Sequence, residues 1–202
     1  MIDLCTYNAG NATKDRVERD LSRLARRYQV VGLQEVADQK KAMNATGAQV
    51  LTGDGNGEGK VALLVAPGVP ITATGYVPCT KRTFVGRWGA GPANTDAKGI
   101  RWATVVLDDA PVTVGSTHLV SSVQRPARGP IARAGRARRL ALHRKHIAGI
   151  VAWVESIEGP LVIVGDFNAV PEFELLDPLR KAGLTCSSAP SAPPTSLPRS
   201  GP

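Results

Sequence analysis

Four apolar runs in this 202-residue chain each end in a polar residue, and that recurrence limits the possible folds more than any other feature. Residues 2–7 run into Asn8, 30–33 into Gln34-Glu35, 112–117 into His118, and 161–164 into Gly165-Asp166-Phe167-Asn168. Short apolar runs bounded by turn residues read as strands. Between them, Val17, Leu21, Leu24 and Tyr28 recur at helical spacing and predict an amphipathic helix over 14–28. Further helices are expected over 37–46, 131–157 and 172–182, the second of these with an apolar stripe of Leu140, Ile147, Ile150, Val151, Val154 and Ile157. Strands are expected over 49–51, 60–66, 71–78, 101–107 and 184–186, with a hairpin turn at Asp108-Asp109 and a long Gly-rich loop over 81–99. Strands mixed with helices, some of them consecutive, predict an α/β layered fold. Residues 1–186 read as one domain, and 187–202 as a Pro/Ser-rich tail or loop unable to support packing.

Charge narrows the partners. The net charge is +8, yet no acidic residue stands between Asp109 and Glu155, a stretch holding Arg125, Arg128, Arg133, Arg136, Arg138, Arg139, Arg144 and Lys145. Those eight equal the whole excess, since the other 17 basic residues are matched by 17 acidic ones. A focused basic face points to a polyanion, nucleic acid first, with Arg125, Arg128, Arg133, Arg136, Arg138 and Arg139 as its expected contacts. A GC-rich coding bias would also enrich Arg. No apolar run is long enough for a membrane helix and no signal-peptide pattern opens the chain, so no membrane partner is expected. Cys5, Cys79 and Cys186 form no CxxC pair; free buried thiols are expected, as in a reducing cytoplasm.

The strand-end residues make a chemically coherent set. Layered α/β proteins build sites at strand ends because rigid β-structure fixes the side chains. Glu35 and Asp166 are hard oxygen ligands suited to Mg²⁺ or Mn²⁺. Asn8 and Asn168 offer neutral amides that orient a water or donate to a phosphate oxygen, and His118 can hydrogen-bond or protonate a phosphoryl oxygen near neutral pH. Each signal has a bland counterpart. Asp-x-Asn after a strand is often an Asx turn, and a Glu there is often the first-turn acid of a helix. The force of the set lies in its joint occurrence and order.

Thr6-Tyr7-Asn8, Leu33-Gln34-Glu35-Val36, Ser116-Thr117-His118-Leu119 and Val164-Gly165-Asp166-Phe167-Asn168-Ala169 resemble successive motifs of the endonuclease/exonuclease/phosphatase superfamily. The resemblance covers residues 1–182. It implies a deoxyribonuclease-like four-layer α/β sandwich, with two packed mixed sheets flanked by helices. It also implies metal-dependent hydrolysis of phosphoric esters. By that similarity Glu35 is the principal metal ligand, with Asn8 beside the metal. Asp166 and Asn168 position the attacking water and the scissile phosphate, His118 contacts or protonates the phosphate, and Arg101 is a basic substrate contact. Relatives finish in a strand ending Ser-Asp-His; here no histidine follows Asp166, which leaves the last strands and the nucleophile-activating base missing. His143 and His146 read as partly buried or phosphate-facing rather than as that base.

The leading expectation is Mg-dependent cleavage of nucleic acid, weak or absent in this chain. The alternatives are a catalytically dead nucleic-acid-binding module, an incomplete gene product, or a phospholipid or inositol phosphate substrate. A sheet edge left unpaired would invite a complementing chain or self-association.

Overall fold

A computed structural model describes residues 3–10, 12–36, 43–52, 60–88, 91–95, 97–121 and 128–187, with the backbone path alone for 84–88 and 91–95. The helix expected over 37–46 lies outside these residues except for 43–46, of which 43 and 44 are helical. The tail from 188 on and Arg125 also lie outside them. In chain order the elements are β1 (Leu4–Asn8), α1 (Lys14–Arg27), β2 (Val30–Gln34), β3 (Gln49–Leu51), β4 (Val61–Val65) and β5 (Ile71–Thr80). Then follow β6 (Thr83–Trp88), β7 (Gly91–Thr95), β8 (Lys98–Leu107), β9 (Ala110–His118), α2 (Pro130–Val154) and β10 (Leu161–Asp166). A 3₁₀ turn (Glu174–Leu176) and α3 (Asp177–Lys181) complete them.

Two four-stranded mixed sheets carry the fold, in the orders β1-β2-β4-β3 and β10-β9-β8-β5. Each holds one parallel pair, β1 with β2 and β10 with β9, and its other pairings are antiparallel. Parallel neighbours need a crossover, and α1 and α2 supply the two. The chain therefore forms two β-α-β units placed sheet against sheet. α1 buries Val17, Leu21 and Ala25 on the outer face of the first sheet with Val31, Leu33, Ala62 and Leu64. The inner faces meet through Val30, Leu63 and Val65 on one side and Ala103, Val105, Val112 and Val114 on the other. α2 covers the outer face of the second sheet through Ile147, Ile150, Trp153 and Val154, packed with Ile100 and Leu179. The four-layer sandwich expected from the motifs is the architecture observed.

Local deviations from expectation have physical causes. The Gly-rich stretch over 81–99 is not all loop: β6 and β7 pair as a two-stranded antiparallel hairpin with an irregularity between Phe84 and Gly86. Its glycines and proline mask a local pairing that period-2 patterning misses. Residues 184–186 form no strand. Gly183, at φ 90°, ends α3 in a left-handed cap, its N–H donating to Arg180 O while Leu184 N–H donates to Leu179 O. That is the Schellman pattern, and it turns Leu184 back toward the α2 side of the core. The Asp108-Asp109 turn is as expected, both residues having positive φ (47° and 61°) as a tight two-residue hairpin requires.

Of the stripe expected on α2, Ile147, Ile150 and Val154 are buried, Leu140 and Val151 are half-buried, and Ile157 lies past the helix end. His143 and His146 take the remaining core positions. Among the cysteines only Cys79 is buried, and burial pushes its thiol up to about 12; Cys5 is half-buried and Cys186 exposed, and no disulfide joins them. No helix among the described residues is long and apolar enough to cross a membrane.

The sheets approach closely at Gly32 of β2, where an added Cβ would collide with Val164 Cγ2 of β10 and crowd Ser116 Oγ of β9 at 3.2 Å. Overpacking a rigid interior costs ~1–3 kcal/mol. Gly32→Ala is expected to lower the thermal midpoint by several degrees, and Val164→Ala in the same chain to recover part of the loss. Calorimetry of the single and double variants checks this, and additive losses would show that the contact is not limiting.

Candidate active site

All four parallel strands end at one rim. Asn8 closes β1, Glu35 follows β2, His118 closes β9 and Asp166 closes β10. The register pairs Asp166 with His118 and Asn8 with Gln34, so within each sheet the ends are level. Side chains then bridge the sheets. Asn8 Nδ2 donates to Glu35 Oε1 at 3.2 Å and to Asp166 Oδ2 at 2.9 Å, joining residues 27 and 158 positions apart in the chain. Asn8 Oδ1 accepts from Gly10 N–H at 2.9 Å, which fixes the amide's orientation. Asp166 Oδ1 accepts from Asn168 N–H at 2.8 Å, and Asn168 Nδ2 donates to Leu119 O at 3.1 Å. The Asx turn is therefore present and, in this setting, holds one oxygen of the carboxylate.

The backbone is bent to serve these groups. Glu35 (φ 59°) and Asn168 (φ 50°) adopt the left-handed conformation that non-glycine residues rarely take. Such conformations cost ~1–3 kcal/mol each and persist where surroundings over-determine them. Glu35 N–H donates to Lys60 O at 2.7 Å and so holds that bend. Gly165, at φ 151°, meets the Thr117 carbonyl so closely that a Cβ would overlap it. Only glycine lets β10 deliver Asp166 level with His118.

His118 faces both carboxylates, with Nε2 3.7 Å from Glu35 Oε1 and 3.9 Å from Asp166 Oδ2. Burial, then the positive charge of Lys98, draws its pKa down to about 4, outweighing Asp166 and Glu35, which raise it. The ring is neutral at pH 7, so these contacts are not ion pairs. Of the two roles expected for His118, the neutral ring is suited to hydrogen bonding. The acceptors around Nε2 place the proton there.

Beneath the rim lies a buried polar layer. Thr6 Oγ1 donates to Gln34 Oε1 (3.1 Å), Gln34 Nε2 to Ser116 Oγ (3.2 Å), and Ser116 Oγ to Leu33 O (3.3 Å), crossing between the sheets. Behind the second sheet, Thr117 Oγ1 donates to Gly99 O at 3.0 Å and lies 3.3 Å from His146 Nε2. The threonine's single hydrogen is spent on Gly99, so His146 carries its proton on Nε2. His146 thereby ties the end of β9 to the start of β8, one residue from both His118 and Lys98. His143 sits beside the Phe167 backbone and edge-on to Phe173, with ring centroids 6.2 Å apart. Both histidines are fully buried, so neither faces phosphate.

Arg101 lies in β8 opposite Ser116, its guanidinium carbon 5.1 Å from the centroid of the Tyr76 ring. The cations whose charge reaches His118 are Lys98 and Lys60, which the sequence did not single out. Lys98 opens β8, three residues before the Arg101 suggested by the motif order. Lys60 precedes an apolar strand with no motif around it. Gln34 was visible in Leu-Gln-Glu, but its cross-sheet role depends on tertiary packing. Arg128, Arg133 and Arg138 are exposed, while Arg136 and Arg139 are half-buried on α2.

Two back-to-back β-α-β units with paired carboxylates, an amide and an imidazole at their common rim define a phosphoesterase-like α/β sandwich. The chain belongs to the Endonuclease/Exonuclease/phosphatase family, whose model matches residues 5–201. Among solved structures it is similar to a β-hairpin deletion mutant of beta toxin from Staphylococcus aureus, at TM-score 0.62 and 14% identity, covering 90% of this chain and 72% of that one. It is also similar to a humanized D. rerio TDP2 carrying 14 mutations, at TM-score 0.62 and 14% identity over 88% of this chain and 66% of that one. A third similar structure is sphingomyelinase C from Streptomyces griseocarneus, at TM-score 0.57 and 18% identity over 90% of this chain and 69% of that one. No match to a curated protein sequence is found. Membership of the family supports phosphoester hydrolysis as the class of chemistry.

The buried histidines make stability sensitive to acid. Burial draws His146 down to about 3 and lowers His143 below the ordinary value of 6.5. The unfolded chain then binds protons more readily, so the stabilisation is complete above the unfolded value and is lost as pH falls toward the folded values. The thermal midpoint is expected to fall between pH 6.5 and pH 4. His146→Gln, which keeps a donor at the Nε2 position without a titrating ring, should fall less steeply. Parallel slopes would assign acid sensitivity to other groups.

Proposed function

We propose that this chain is a divalent-metal-dependent phosphodiester hydrolase acting on nucleic acid, with Mg²⁺ or Mn²⁺ as cofactor. One observation carries the reading: Glu35 and Asp166, brought from separate sheets, share one Asn8 amide and one neutral His118 ring. Two carboxylates so placed repel each other unless a cation lies between them. The donor set is hard oxygen and the side chains are partly open, 39% exposed for Glu35 and 33% for Asp166. No cluster of three or more His, Cys, Asp and Glu groups suited to a metal exists among the described residues. Two carboxylates with open coordination positions are what Mg²⁺, which commonly keeps several waters, takes from a protein.

When bound, the cation would supply Lewis-acid polarisation of a phosphoryl oxygen. The chain's own groups do the rest. Glu35 and Asp166 would hold the ion, and Asn8 keeps the pair at fixed separation. Asp166, pinned through Oδ1 by the Asn168 N–H, is oriented to accept a proton from the attacking water. His118 Nε2–H donates to a non-bridging phosphate oxygen, and Asn168 braces the Asp166 turn against Leu119. Arg101, Lys98 and Lys60 supply positive potential around the substrate. The Arg-rich N-terminal half of α2 favours nucleic acid over a small phosphoester.

A second reading, a nucleic-acid-binding module without turnover, draws on burial: with His143 and His146 enclosed, His118 is the one histidine of the chain at the rim. The edge strands β1 and β10 also offer backbone groups to a complementing strand or a second copy. The test is cleavage of plasmid DNA and of bis(4-nitrophenyl) phosphate with Mg²⁺ or Mn²⁺. Hydrolysis that is abolished by chelator and falls ~10²-fold or more in Asp166→Ala supports the enzyme. Tight DNA binding with no metal-dependent turnover supports the module.

A further inference from the structure

The sheet-facing stripe of α2 changes chemistry along its length. Positions 136, 139, 143, 146, 150 and 154 follow helical spacing of three and four and so share one face. Ile150 and Val154 are apolar and buried, His143 and His146 are buried imidazoles, and the next two positions toward the N-terminus are Arg139 and Arg136. The direction of travel is fixed by contacts. Trp153 lies against Gly115, His146 against Thr117 and His143 against the Phe167 backbone. Moving toward the helix N-terminus is therefore moving toward the carboxyl ends of β9 and β10. At 1.5 Å rise per residue, Arg139 stands about 6 Å beyond His143, past the strand ends where Asp166 and His118 sit.

Arg139 is half-buried, and its Nε is shut from solvent with no hydrogen-bond partner among the described residues. An enclosed Nε fixes the plane of the guanidinium and leaves its terminal nitrogens to meet a ligand oxygen. Arg138, Arg144 and Lys145 point to other faces of the helix and are exposed. The basic patch is thus not uniform.

We propose that Arg139, followed one turn on by Arg136, binds a phosphate flanking the scissile one, so that the site prefers phosphodiester chains to isolated diesters. The proposal rests on the phosphodiesterase reading above and adds the residues that would select chain substrates. Planar guanidinium groups suit this contact because they grip phosphate oxygens with paired donors.

The test has two arms. Binding of a fluorescein-labelled oligodeoxynucleotide, in chelator and therefore without turnover, is followed across a salt series for wild type, Arg139→Gln, Arg139→Lys, Arg144→Gln and Lys145→Gln. Arg139→Gln is expected to weaken binding roughly tenfold and to lower the salt slope by about one. Arg139→Lys should restore the slope, and the two exposed-face variants should change affinity less than about twofold. In the second arm, the ratio of kcat/KM for the oligonucleotide to that for bis(4-nitrophenyl) phosphate should drop in Arg139→Gln. Equal losses in all the Gln variants would overturn the proposal in favour of a diffuse field, as would an unchanged ratio with altered kcat on both substrates. If wild type hydrolyses neither substrate, the phosphodiesterase reading fails while the binding arm still decides this one. Thermal melts of each variant identify any that fail to fold, and Arg136→Gln, at the less enclosed position, then replaces Arg139→Gln.

Discussion

The close approach of the two sheets at Gly32 is the constraint on which the candidate site depends. Each β-α-β unit alone ends in two polar residues at the carboxyl ends of its parallel strands. Neither unit alone holds both carboxylates. Because Gly32 lets Val164 and Ser116 come against β2, the ends of β1 and β2 meet those of β9 and β10 within hydrogen-bonding distance. Asn8 then reaches Asp166 across the interface. A side chain at position 32 would press on Val164 and Ser116, which lie just below Asp166 and His118 in their strands.

That interface is not a purely apolar core. Gln34, Ser116 and Thr117 are buried polar residues directly below the rim, and each has its hydrogen bonds met. Satisfied buried networks fix one arrangement because any shift leaves a donor or acceptor stranded. The Gln34–Ser116 bond locks the sheets against sliding, and His146 with Thr117 and Gly99 locks the second sheet to α2. The left-handed bends at Glu35 and Asn168 are held by hydrogen bonds of their own, Glu35 N–H to Lys60 O and Asn168 N–H to Asp166 Oδ1. Rigidity below the rim and open carboxylates above it are what a weakly coordinated hard cation needs from its protein.

Much of this was legible in the sequence because the informative residues sit at the ends of apolar runs. Asn8, Glu35, His118 and Asp166 could be picked out, and their convergence at one rim is what the structure shows. The four-layer fold followed from the motif order. What was not legible depends on tertiary neighbours. His143 and His146 read as polar positions in an Arg-rich helix, yet a helix crossing the rim places them against Thr117 and the Phe167 backbone. Lys98 and Lys60 carry no motif, and their charge reaches His118 only through the tertiary fold. The β6–β7 hairpin is built from Gly- and Pro-containing segments whose propensities oppose strands, and only pairing reveals it. The basic stretch between Asp109 and Glu155 read as one patch, whereas the helix sets Arg136 and Arg139, half-buried, on the face of His143 and His146 and leaves Arg133, Arg138, Arg144 and Lys145 exposed.

On the proposed function, Glu35 and Asp166 form one cation site held by Asn8. Calorimetric titration of the full 202-residue chain with Mn²⁺, beside Glu35→Gln and Asn8→Ala, tests it most directly. One binding event per wild-type chain is expected, lost or weakened at least tenfold in Glu35→Gln and weakened in Asn8→Ala, with folding unchanged by thermal melt. Mn²⁺ binding of equal strength in all three proteins would contradict it, because the cation would then sit elsewhere and the convergence of the two carboxylates would serve no metal.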